Sequence, residues 1–413
     1  MRITEIKTFL MQAQFPPEDA YATADRSGEA GRVQSQSGSR NWLFLKVYTD
    51  EGVTGVGECS GWPRVVERAV EDLATLLVGE DPRDIERLWQ KMFGAIMGHG
   101  MTGVVGAGAM SGIDMALWDI KGRVLGTPVW NLLGGKMRDR IRVYGHANTP
   151  EVALRLKERG ITAVKTGGVA RIVEKVDAIR RAVGDAIDIM VDLRGPPWMT
   201  TKDAIVTGRA LEPYDLLFFE DPIAPENADS YARIQDQVAI PLAAGERFAT
   251  IWGLRPLIEK ELVDVVQPDT GRSGGISQLM KIAAMAEAHH ITVAPHSGSL
   301  GPIAEFAALH VLAAIPNALI LERLEDDWPG RYEVTDPVPR TVAGYLPVPD
   351  RPGLGVDIVE AAVAKYPSVK NVAVSGSPDN GAYEAGTFDE HVYFQTRFHR
   401  RRAFQKASPA GTP

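Results

Sequence analysis

The chain has 413 residues, with 45 Lys+Arg against 53 Asp+Glu and a net charge of −8, long enough for one large domain or two ordinary ones around a substantial core. Hydrophobic residues at 45% and charged residues at 24% are ordinary for a globular protein, and the acidic balance argues against a nucleic-acid partner, which needs a basic face. A single cysteine, Cys59, excludes a disulfide framework and multi-cysteine metal sites and fits a reducing, cytoplasmic setting. The most apolar long stretch, residues 306–321, contains His310 and Pro316 and falls short of a spanning helix, so no membrane partner is expected.

Met1-Arg2-Ile3-Thr4-Glu5-Ile6-Lys7 alternates apolar and polar positions and predicts a strand. Residues 16–40 are polar and rich in Gly and Ser, a long loop of the kind that serves as a lid or a linker. Trp42-Leu43-Phe44-Leu45-Lys46-Val47-Tyr48 and Gly55-Val56-Gly57-Glu58 read as antiparallel strands about the turn Asp50-Glu51-Gly52. Asp81-Pro82 predicts a helix start, with Ile85, Leu88, Trp89 and Met92 on one face. A second helix through Ile113, Leu117, Trp118 and Ile120 is stopped by Gly126 and Pro128.

From Ile141 onward eight short apolar runs alternate with helical sequence, ending in turn at His146, Lys165, Asp192, Glu220, Glu246, Asp269, His296 and Glu322. These ends are spaced 19 to 28 residues apart. Such alternation predicts parallel βαβ units, and eight of them a (β/α)8-type barrel whose C-terminal strand ends form one mouth. After Glu322 a turn-rich return leads to a polar extension from about Pro367.

Asp192, Glu220 and Glu246 end three consecutive runs. Three carboxylates crowded together repel unless something positive stands between them. A hard divalent cation with oxygen ligands, Mg²⁺, meets that need. Against it stands the plainer reading of ordinary ion pairs with Arg or Lys. His296 and Asp269 end neighbouring runs, and a carboxylate on one imidazole nitrogen would leave the other free to move protons.

Several motifs together carry a resemblance. They are Ser111-Gly112-Ile113-Asp114-Met115-Ala116-Leu117-Trp118-Asp119, Leu132-Leu133-Gly134-Gly135, Phe219-Glu220-Asp221-Pro222, Ala244-Gly245-Glu246, Gln267-Pro268-Asp269, Ser273-Gly274-Gly275-Ile276, Pro295-His296 and Leu321-Glu322-Arg323-Leu324. In that order, up to about residue 357, the chain resembles the enolase superfamily, in its mandelate racemase-like subgroup of sugar-acid dehydratases. The resemblance implies an α/β fold, a modified TIM barrel (β/α)7β under an α+β capping domain built from both chain ends. The expected division is 1–135 for the cap, 136–328 for the barrel, 329–366 for the return to the cap and 367–413 for a partly irregular extension.

It also implies one Mg²⁺ held by Asp192, Glu220 and Glu246 together with the substrate carboxylate, a base that removes the neighbouring proton, an enediolate stabilised by the metal, and self-association into a homo-oligomer. The His296–Asp269 dyad is the expected base and Glu322 a further catalytic group. Lys165 matches the first lysine of the family's Lys-x-Lys, which lies near the substrate carboxylate. Two departures stand out. Lys165-Thr166-Gly167 has glycine where racemases carry the second lysine, and Asp192-Leu193-Arg194 has arginine where the family often has Asn. Arg194 either clamps a substrate oxygen or balances the acids. His146 at the first strand end, with Trp62 and His99 in cap loops, completes the substrate-binding candidates.

With a base on one face, two-base racemisation is hard to run, whereas elimination of water needs only a base at one carbon and an acid at the neighbouring hydroxyl. The sequence therefore favours a dehydratase that converts a small sugar acid, aldonate or aldarate, to a 2-keto-3-deoxy acid. The alternatives are a racemase, epimerase or lactone cycloisomerase on the same scaffold, and a degenerate barrel that binds a sugar acid without turning it over.

Overall fold

The structure, a computed structural model, describes residues 1–13, 41–97, 103–169, 171–193, 198–325, 329–368 and 404. The polar loop expected over residues 16–40, His99, Arg194 and nearly all of the extension lie outside the described residues.

Three antiparallel strands, β1 (Ile3–Gln12), β2 (Asn41–Thr49) and β3 (Thr54–Cys59), open the chain in the order β1-β2-β3. Helices Pro63–Leu77, Ile85–Met97 and Val104–Leu125 cover the sheet. Their apolar faces share a core with Leu43, Leu45, Val47, Leu73, Leu88, Trp89, Ile113 and Leu117. The long helix lies directly on β3, where a side chain at Gly57 would begin 1.8 Å from the Gly112 carbonyl oxygen, so backbone meets backbone there.

The second unit is the barrel. Strands β4 (Arg140–His146), β5 (Ala163–Gly167), β6 (Asp188–Asp192), β7 (Leu216–Glu220), β8 (Leu242–Ala244), β9 (Val265–Val266), β10 (Thr292–Val293) and β11 (Leu321–Glu322) pair in parallel from β4 through β10, with β11 on the other edge of β4. A parallel bridge between Val293 and Ala318 closes the ring, supported by Val293 N–H donating to Asn317 O and Leu319 N–H donating to Val293 O, both at 2.9 Å. Among the described residues each of β4 to β10 is followed by one α-helix: Pro150–Glu158, Ile172–Val183, Thr201–Leu211, Ala228–Gln235, Thr250–Glu259, Gly275–Ala288 and Pro302–Ala314. The architecture is the modified (β/α)7β barrel with a capping domain.

Tyr144, Ala163, Met190, Phe218, Ala243, Val265, Ala294 and Ile320, one from each strand segment, fill the barrel interior as a single apolar cluster. Side chains of a strand alternate between its faces. Two residues beyond these plugs, His146, Lys165, Asp192, Glu220, Gln267, His296 and Glu322 therefore face the same interior, one rung nearer the mouth.

After β11 the chain runs through β12 (Thr335–Asp336), β13 (Tyr345–Pro347) and β14 (Asp357–Ile358); β13 pairs the start of β4, and β12 pairs β14. The return segment then meets the cap. Lys46 Nζ lies 3.0 Å from Asp357 and 2.9 Å from Glu360, and Gln12 N–H donates to Tyr366 O at 2.9 Å. Both ends of the described chain thus build the cap.

Two local expectations are corrected. The helix placed at Asp81-Pro82 begins at Ile85, because the Asp81 carboxylate accepts from the Arg83 N–H at 3.0 Å and closes a turn of its own, leaving Asp84 O to receive the Leu88 N–H. The segment read as a loop around Trp62 starts the helix Pro63–Leu77, with Pro63 in its first turn; Gly61 and Pro63 look like loop punctuation, although proline is equally at home at a helix start.

Among the described residues no helix is long and apolar enough to cross a membrane. His310, fully buried on the last barrel helix, joins that helix to the rest: Nδ1 accepts from Trp130 N–H and Nε2 donates to Leu354 O, each at 3.1 Å. The Nδ1 bond requires the neutral ring, and burial pushes the pKa from the ordinary 6.5 down to about 4. The folded value lies below the unfolded one, so this contribution to stability is complete above pH 6.5 and drains away as pH falls towards 4. On the order of 3 kcal/mol is expected to be lost over that range through this group, with the ring staying neutral to about pH 4 in an NMR titration. A His310 that titrates near its ordinary value in the folded protein would contradict this.

Candidate active site

The ladder sets the acids side by side. Register pairs Gly167 with Asp192, Asp192 with Glu220, and His146 with Lys165. Glu246 follows two residues after β8, and Asp269 and His296 come three residues after β9 and β10.

Lys165, 4% exposed, lies at the centre of the acids. Its Nζ is 2.7 Å from Glu322 Oε1, 3.0 Å from Glu220 Oε2 and 3.6 Å from Asp192 Oδ2. Burial works to discharge the ammonium, but Glu220 and Glu322 overcome it and hold its pKa well above the ordinary value. Glu322 is anchored as an anion by the backbone N–H groups of Ser297 and Gly298, both at 2.8 Å, and by His146 Nε2 at 2.8 Å. Despite its burial, Lys165 and His296 hold its pKa well below the usual carboxylate range.

Across the mouth, His296 Nδ1 lies 2.6 Å from Asp269 Oδ2, and Nε2 lies 2.8 Å from Glu246 Oε2. Burial disfavours the imidazolium, yet Glu246 and Glu322 raise its pKa well above the ordinary value. Glu246, which burial alone would push up, is held below the usual range chiefly by His296.

The remaining acids are short of positive charge. Burial pushes Glu220 up to about 8, with Asp192 adding to the rise and Lys165 only partly offsetting it. Asp221 is raised well above the ordinary value by burial and by Glu246 and Glu220. Gln267, 1% exposed in the same layer, has neither amide atom hydrogen-bonded among the described residues.

An oxygen-only donor set, an excess of buried acid and an orphaned amide together fit a hard divalent cation with its water and an oxyanion. Among the described residues no three His, Cys, Asp or Glu side chains already converge as a finished metal cage; Glu246 is turned onto His296, and Asp192 and Glu220 face Lys165.

The structure brings together His146, Lys165, Asp192, Glu220, Glu246, Asp269, His296 and Glu322. Trp62 starts a helix and is 55% exposed; Ser60, two residues earlier, reaches the mouth through Arg272. Arg194 and His99 fall outside the described residues.

Sequence reasoning missed a second ring of residues. Arg247 stacks on Trp198, 4.5 Å from the ring centroid, and lies 3.4 Å from Asp221. Arg272 touches Asp269, and Asn148 Oδ1 accepts from Gly167 N–H and Thr166 Oγ1 at 3.2 Å. Asp221 and Arg247 directly follow Glu220 and Glu246, a signal available in the sequence. Nothing local marks Asn148.

Residues 32–134 match the mandelate racemase/muconate lactonizing enzyme N-terminal domain, and residues 149–362 the enolase C-terminal domain-like family. A D-galactonate dehydratase of Ralstonia nicotianae is 40% identical in a 350-residue alignment that covers 78% of this chain and 90% of that protein. A mandelate racemase/muconate lactonizing enzyme-like protein from Roseovarius superposes with a TM-score of 0.79 at 31% identity, covering 91% of this chain and 98% of that one. The 3,6-anhydro-D-galactonate cycloisomerase of Zobellia galactanivorans does so with a TM-score of 0.77 at 29% identity, over 89% and 99%. From the matches in both halves and the extent of these likenesses, the chain belongs to the enolase superfamily, in its mandelate racemase/muconate lactonizing enzyme group, whose members work with a divalent metal.

Proposed function

We propose that this protein is a sugar-acid dehydratase that removes the proton beside the substrate carboxylate with the His296–Asp269 dyad and expels the neighbouring hydroxyl as water. The observation that carries this reading is the asymmetry of the mouth. An imidazole braced by a carboxylate stands on one side. On the other, Gly167 contributes no side chain, and a small polar hollow is lined by His146, Asn148, Lys165, Thr166, Gly167 and Asp192. One base face suits elimination and ill suits racemisation.

Asp192, Glu220 and Glu246 would hold Mg²⁺. When bound, the ion would supply positive charge beside the substrate carboxylate, where negative charge grows as the proton leaves. Lys165, held by three acids, would present its ammonium to that same carboxylate. His296 Nε2 shares a 2.8 Å contact with Glu246; that contact must open and the ring must give up its Nε2 proton before Nε2 can take one from carbon. Asp269 would keep the ring turned so that Nε2, not Nδ1, meets the substrate. The imidazolium would then return its proton to the leaving hydroxyl, giving water and an enol that becomes the 2-keto-3-deoxy acid. D-Galactonate, named in the Ralstonia relative, is the first substrate to test. A cycloisomerase reading is separated from this one by whether water is lost from the product. Self-association belongs to the same proposal, on family likeness.

Glu220→Gln and Asp192→Asn are expected to abolish turnover, since each removes a charged ligand from a site with few. Chelation should silence the wild type and Mg²⁺ should restore it; full activity in EDTA would refute the metal assignment. His296→Asn is expected to lower turnover about 10²–10⁴-fold and to stop exchange of the α-proton with solvent deuterium. Lys165→Met should also weaken turnover strongly yet leave slow exchange. The reverse pattern, with exchange lost only in Lys165→Met, would make Lys165 the base and favour an epimerase.

A further inference from the structure

We propose that Arg272 is a positioning residue that makes the alignment of the His296–Asp269 dyad depend on the seating of the cap. The inference rests on His296 being the base. Asp269 and Arg272 share one tight turn after β9. Asp269 Oδ1 accepts from Gly271 N–H at 2.9 Å, while Oδ2 serves both His296 Nδ1 at 2.6 Å and Arg272 Nε at 3.3 Å. The guanidinium therefore presses on the very oxygen that orients the imidazole. Its other contacts radiate to three segments: Nε to Ser60 Oγ at 3.2 Å, Nη2 to Ser299 Oγ at 2.9 Å, and Nη1 to the backbone oxygen of Glu246 at 3.4 Å.

Ser60 immediately follows β3 and belongs to the cap. Its N–H donates to Gly271 O at 2.9 Å, and a side chain at Gly271 would begin 2.8 Å from Ser60 Cβ. The cap turn thus seats directly on the dyad turn, with no side chain intervening. Arg272, 17% exposed along its side chain, joins the cap, the dyad, the loop carrying Glu246 and the loop after His296. A planar fork can bridge several acceptors at fixed angles, which a lysine ammonium cannot.

The test uses Arg272→Met, Arg272→Lys, Ser60→Ala and the Arg272→Met/Ser60→Ala double variant of the full chain. Turnover of D-galactonate with Mg²⁺ is measured together with the downfield proton resonance of His296 Nδ1–H in substrate-free protein. Arg272→Met is expected to lower kcat about 10–100-fold, with KM little changed and the Nδ1–H resonance broadened. Arg272→Lys should recover only part of kcat. Ser60→Ala should lower kcat several-fold alone and add nothing in the Arg272→Met background, as coupled residues do.

An unaltered resonance in folded Arg272→Met would overturn the proposal, and so would full rescue by lysine. Additive effects of the two substitutions would overturn the dependence on the cap. Should the wild type fail to turn over D-galactonate, the substrate assignment fails, and the resonance in Arg272→Met and Arg272→Lys still decides the role of Arg272.

Discussion

The charge balance of the mouth is the constraint on which this structure turns. Asp192, Glu220, Asp221, Glu246, Asp269 and Glu322 are gathered at the ends of five strand segments, nearly all of them buried, where an uncompensated carboxylate is costly. The fold answers with Lys165 placed among three of them and His296 between three. These two cations do not suffice for Glu220 and Asp221. A site built in this way is poised for a small, highly charged cation, and the chemistry inferred for it uses that same shortage.

The cap meets the barrel through the same currency of buried carboxylates. Asp114, on the long cap helix, accepts from Ser277 N–H at 3.0 Å and from Ser277 Oγ, in the first turn of helix Gly275–Ala288. Glu58, at the end of β3, accepts from Gly301 N–H and from Ala304 N–H at 2.9 Å, at the start of helix Pro302–Ala314. Each acid satisfies orphan donors of a helix belonging to the other domain and faces the positive end of its dipole. The cap is therefore fastened at the two helices that follow the strands leading to Asp269 and His296.

Much of this was legible in the chain. The eight strand ends could be placed because each apolar run is short and stops at an ionisable residue, and period-two alternation then points those residues inward together. The dyad partners were recognisable as neighbours for the same reason. What escaped was whatever depends on a contact between distant turns. Arg272 meets Ser60 only because two turns 212 residues apart abut, and Asn148 meets Gly167 only across adjoining strands. The helix near Asp81 starts only at Ile85, because aspartate before proline announces a helix cap and a self-closed turn in the same letters.

The apolar plug beneath the site has a bearing on traffic. Tyr144, Met190, Phe218 and Ile320 seal the barrel interior, interleaved with small residues on other strands, so the reaction chamber is a cul-de-sac. Whatever enters must back out by the doorway it came through. A turnover that makes two molecules from one then has an order of departure imposed by architecture: the small water molecule can slip past a bound acid, whereas the keto acid blocks the next sugar acid until it has gone.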